Sequence, residues 1–129
     1  MEFGHPAHGG RRVRLAYCQN LHAGEDLEGV CAGIDEITVP LKRRLSPERP
    51  FGVGMYLPGP LAGRLASEEG AEDLAKLRGF LGERELVPFT YNAFPHGGFH
   101  RDGLKEQVYH PAWDDPERVQ FSIDVSRVA

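Results

Sequence analysis

Basic excess, long apolar runs and cysteine are what this sequence has least of, and each shortage narrows what the chain can be. Its 15 Lys and Arg are outnumbered by 19 Asp and Glu, for a formal net charge of −4. Apart from Arg11, Arg12 and Arg14 and the run Lys42-Arg43-Arg44, the positive residues are scattered. Nucleic acid is therefore not expected as a partner, because binding a phosphate backbone needs a concentrated basic surface. No segment approaches the roughly 20 consecutive apolar residues that cross a bilayer, and the N-terminus lacks the apolar core of a signal peptide. Membrane insertion is not expected either. The two cysteines, Cys18 and Cys31, make one bridge at most, and a hydrophobic content of 40% does not require it. A reducing, cytoplasmic setting suits such a chain. P-loop, GxGxxG and GxSxG motifs are missing, as are low-complexity tracts.

What the 129 residues do contain is room for one small domain and an alternation of strand and helix patterns. Residues 1–11 read as a mobile N-terminal tail, Gly- and Pro-rich with His5 and His8 but no hydrophobic period, ahead of a domain at 12–129. Arg12 to Cys18 reads as the first strand. Leu27, Val30, Ile34, Ile37, Leu41 and Leu45 then recur at helical spacing, with Asp26 as the cap, Glu25 and Glu28 near the start and Lys42-Arg43-Arg44 at the end, where the dipole favours cations. Pro40 predicts a kink or a division. Phe51 to Leu57 is a second strand. A helical turn over Leu61 to Ala66 and a helix carried by Leu74, Leu77 and Leu81 follow, and Leu86 to Ala93 is a third strand. Near the C-terminus Val119, Phe121, Ile123 and Val125 alternate as a strand would, but Asp115-Pro116-Glu117 is a strong helix start and favours helix. The expected fold class is α/β, three consecutive parallel βα units with right-handed connections.

The expected strand faces differ in chemistry. Val13, Leu15, Tyr17, Val53, Met55, Leu57, Val87, Phe89 and Tyr91 make a large apolar face for helices to pack on. The opposite face is small near the strand starts, at Ala16, Gly52 and Gly54, and polar towards their ends. Ligands of parallel sheets bind outside the carboxyl ends of the strands, which gathers Asn20, His22, Tyr56, Asn92, His96 and His100 as candidate ligand-binding residues. Lys105 joins them from the long loop after the third strand, where Pro95 and the Gly97-Gly98 pair break the strand pattern. Structural readings stand beside these: Asn20 and Asn92 can serve neighbouring backbone, His22 reads as an exposed loop histidine, and Cys18 as a small buried residue without a catalytic partner. His96 and His100 straddle the diglycine, so they are not a helical metal pair. No metal ligand set is expected from the strand ends, since Asp102 and Glu106 lie in the loop.

Tyr17-Cys-Gln-Asn-Leu-His-Ala-Gly24, Phe51-Gly-Val-Gly54, Phe89-Thr-Tyr-Asn-Ala-Phe-Pro-His-Gly-Gly-Phe-His100, Lys105-Glu-Gln-Val-Tyr109 and Pro111-Ala-Trp113 resemble the EboE metabolite-traffic family, which looks like the xylose isomerase-like TIM barrels. The resemblance runs from about Arg12 and covers the N-terminal part of that pattern. A complete (β/α)₈ barrel takes about 250 residues, so three units imply a partial barrel, inactive alone. The resemblance implies a sugar or sugar-phosphate isomerase/epimerase-like barrel that acts on or carries a small polar metabolite, with a divalent metal only in a complete barrel. The alternative is a non-catalytic component that binds a metabolite, or protein partners of an export system.

Overall fold

The computed structural model describes residues 2–4, 9, 12–22, 24–97 and 107–129. Strands β1 (Glu2–Gly4) and β2 (Arg12–Arg14) form a small antiparallel ribbon, while β3 (Ala16–Cys18), β4 (Phe51–Tyr56) and β5 (Leu86–Asn92) form a parallel sheet in sequential order. The strand expected over Arg12 to Cys18 is thus divided at Leu15, and part of the segment expected to be an irregular tail is a strand. The division has a local cause. Ala16 lies opposite Gly52, so the residue facing Arg14 would be Pro50, which has no N–H to give a ladder. Arg12–Arg14 pair with the chain's own N-terminal segment instead.

Between β3 and β4 runs a helical stretch, α1 (Leu27–Gly33), a π-helical segment (Ile34–Thr38) and α2 (Val39–Leu45). Asp26 caps it as expected, its carboxylate accepting from the Gly29 N–H at 2.8 Å. Pro40 divides the helix through the π segment: proline cannot donate to Glu36 and its ring would press on that carbonyl, and a wider turn in which the Val39 N–H reaches Ile34 accommodates both faults. One extra residue turns everything beyond it by about 100°. The buried positions become Val30, Ile34, Thr38 and Lys42, and the expected core residues Ile37 and Leu45 face out, 40% and 52% exposed. Lys42 ends on the Glu85 carboxylate at 2.8 Å, tying α2 to the turn before β5.

Helix α3 (Gly59–Ala66) and α4 (Ala71–Glu83) join β4 to β5, and α5 (Pro116–Val128) closes the described chain. The helix start read at Asp115-Pro116 holds: Asp115 accepts from the Glu117 N–H at 2.9 Å. One core collects Val53 and Met55 from the sheet, Ile34, Leu61, Leu65, Leu77 and Leu81 from the helices between strands, and Phe121, Val125 and Val128 from α5. The described helices that contribute to it pack on the sheet face that carries Phe51, Val53 and Met55.

That face differs from the expected one along β5. Val53 pairs with Pro88 but Gly54 pairs with Thr90, so Phe89 is an extra, bulged residue. Pro88, a poor ladder member, sits at the irregularity. Leu86 and Pro88 therefore face the helices before the bulge and Tyr91 after it, while Val87, 44% exposed, and Phe89 belong to the opposite face. Phe89 then lies across Gly52, where a Cβ would come within 2.5 Å of its ring and 2.9 Å of the Leu15 carbonyl oxygen. Glycine is the residue that this approach permits. Leu15, expected in the core, is 53% exposed.

Candidate functional site

At the carboxyl ends of the strands, on the face that no helix covers among the described residues, three side chains meet. The Asn92 amide nitrogen donates to Asn20 Oδ1 at 2.6 Å and to Cys18 Sγ at 3.3 Å, and the Cys18 thiol donates to Asn20 Oδ1 at 3.0 Å. The bonds bridge β3 to β5 across Gly54 of β4, where a Cβ would come within 2.8 Å of the Thr90 hydroxyl oxygen. Tyr56 stands opposite Asn92 in the register. Its hydroxyl donates to the carbonyls of Pro95 at 3.2 Å and Gly97 at 2.8 Å, holding the chain that leaves β5 against the sheet. Cys18, expected to be buried, is exposed: among the described residues β3 is an edge strand and no helix lies over this face.

The two described histidines of the expected set point elsewhere. His22 is buried rather than exposed, because its ring lies on Gly33 of α1 and meets the Tyr17 hydroxyl at 3.3 Å, on the helix side of the sheet. Burial pushes its pKa down, against a smaller upward pull from Glu36. His96 also turns to the helices. Its carbonyl accepts from the Gly59 N–H at 2.8 Å, and its ring lies against Gly59, where a side chain would collide, and meets Phe121 edge-on at 5.1 Å. Its Nε2 is 3.7 Å from Glu117 Oε1. His100 and Lys105 lie outside the described residues. The structure thus brings Asn20, Asn92 and Tyr56 to one face and places His22 and His96 against helices.

The amides and thiol of this face can donate to a hydroxyl or carbonyl oxygen and accept from a hydroxyl, and the amides carry no charge. Among the described residues no three His, Cys, Asp or Glu side chains stand close enough to hold a metal ion. One polar residue was not anticipated at this end: Arg118, 3% exposed, sits in the first turn of α5 among Phe94, Trp113 and Phe121. The sequence did carry a signal for it, since Arg118, Phe121, Val125 and Val128 share one helical stripe and a charge on an apolar stripe calls for a partner. No protein-family model, curated protein or solved structure matches this chain.

Proposed function

We propose that the chain is the N-terminal part of an EboE-like, sugar-phosphate isomerase/epimerase-like barrel, and that it binds a small polar metabolite at the carboxyl ends of its strands. One observation carries the reading: the Asn20–Cys18–Asn92 cluster spans the uncovered face beside Gly54. A sequential parallel sheet with helices on one side also supports it, since a barrel wall is built this way, whereas a doubly wound sheet reverses its strand order and is covered on both faces. Amide groups position hydroxyls but transfer no protons near neutral pH. The role of this part is accordingly binding, and by itself it turns nothing over.

Calorimetric titration of the chain with a panel of polyols, sugars and sugar phosphates tests the reading. At least one class binds, and Asn92→Ala weakens it by about three- to tenfold, the worth of one or two hydrogen bonds. Binding that is unchanged in Asn92→Ala and Asn20→Ala, or a panel with no binder at all, overturns it.

A further inference from the structure

Arg118 is a cation with no anion among the described residues. Its side chain is 3% exposed, yet its guanidinium makes no hydrogen bond or ion pair among the described residues. Other buried or half-buried cations of this fold are paired: Lys42 with Glu85 at 2.8 Å, and Arg84 with both oxygens of Asp35 at 2.6 and 2.9 Å. What surrounds Arg118 is aromatic, with the Trp113 ring 4.3 Å from the guanidinium carbon, Phe94 at 5.4 Å and Phe121 at 5.6 Å. Rings attract a cation through their faces but leave its N–H donors, which radiate in the guanidinium plane, unsatisfied. Loss of water pushes the Arg118 pKa down, with no neighbouring acid to raise it again. A desolvated charge without a partner is costly to fold around.

The geometry points to an oxyanion site, in which the carboxylate or phosphate group of a small ligand engages the in-plane donors of Arg118 while Trp113, Phe94 and Phe121 hold the guanidinium in place. A planar fork is suited to two parallel bonds to such a group. The position agrees: Phe94 follows Asn92 by two residues at the carboxyl end of β5, the end at which the amide cluster lies. Trp113, 76% exposed, is the outer wall of the site. The inference rests on the proposed function for its ligand class, a metabolite that carries both hydroxyls and an acidic group, but it is tested by a readout that the amide cluster does not share.

Trp113 is the only tryptophan of the chain, so tryptophan emission comes from the ring that Arg118 faces. Titration with inorganic phosphate, and separately with acetate, at constant ionic strength changes Trp113 emission saturably and raises the melting temperature; the stronger of the two identifies the acid. Arg118→Lys keeps the charge, loses the fork, and weakens binding by about tenfold. Arg118→Met removes the response to either anion and, in anion-free buffer, melts no lower than the parent, because an uncompensated charge has gone. A purely structural arginine gives the opposite pattern: emission indifferent to both anions in the parent protein, and a lower melting temperature for both variants. That pattern overturns the oxyanion site and leaves the hydroxyl-binding role of Asn20 and Asn92 standing. An anion response that persists undiminished in Arg118→Met overturns it equally.

Discussion

On the face of β4 that carries Phe51, Val53 and Met55, every side chain is buried in the common helical core. On the face that carries Gly52, Gly54 and Tyr56, cover comes from single neighbours: the Phe89 ring, the Thr90 hydroxyl, and the Pro95 and Gly97 carbonyls. The contrast separates two tasks that one short strand performs at once. Stability resides where apolar area is removed from water. The proposed function places binding where the strand offers glycines as a floor and its neighbours Asn20 and Asn92 offer half-buried amides.

The largest effect that would break this contrast is in the core. Met55→Ala or Leu65→Ala should cost about 2–5 kcal/mol in urea unfolding, because each is fully enclosed and leaves a cavity. A loss under about 1 kcal/mol would mean that the helical face is not the stabilising one. Next is Gly52→Ala, expected to cost about 1–3 kcal/mol through overpacking against Phe89 and the Leu15 carbonyl. Phe89→Leu in the same chain should recover part of that loss. Additive losses in the double variant would show that the ring does not lie over Gly52.

Thr38→Val should work in the other direction. The Thr38 hydroxyl is buried without a hydrogen-bond partner, so an isosteric methyl removes an unsatisfied group and should raise stability by about 1 kcal/mol; lower thermal stability would place a partner there. His22 gives a smaller, pH-dependent effect. Its folded pKa is lowered below the ordinary 6.5, so the unfolded chain takes up the proton more readily. The contribution of His22 is therefore complete above pH 6.5 and falls away as the pH drops towards the folded value. His22→Gln should flatten stability across that window, and an unaltered slope would assign it to another group. Smallest of all is Cys18→Ser on the open face, expected to change stability by less than about 0.5 kcal/mol.

The order of elements was legible because its signals are local. Asp26 and Asp115 cap their helices, and glycine and proline mark the ends of strands, whatever the rest of the chain does. Phase was not legible. The π segment before Pro40 and the bulge at Phe89 each insert one residue into a regular period; at the first the buried stripe passes to Thr38 and Lys42 and leaves Ile37 and Leu45 outside, and ahead of the second Leu86 and Pro88 face the helices in place of Val87 and Phe89. In both places a proline was the visible cue. The candidate site shared this fate in part: Asn20, Tyr56 and Asn92 follow from strand alternation, whereas His22 and His96 follow the strand ends in sequence, and only their packing on Gly33 and Gly59 decides which way they turn. Arg118 was hidden for another reason, since a lone charge in a helix reads as solvent-facing until its stripe is compared with its neighbours.

The most direct test of the central claim, that the uncovered face binds and the covered face stabilises, is a two-dimensional NMR titration of the chain with the tightest metabolite class from the calorimetric panel. The account predicts shifts that concentrate on the side-chain amides of Asn20 and Asn92 and the backbone amide of Gly54, while the methyl signals of Leu65, Leu77 and Val125 stay in place. Shifts confined to those core methyls, or spread evenly over both faces, would contradict it.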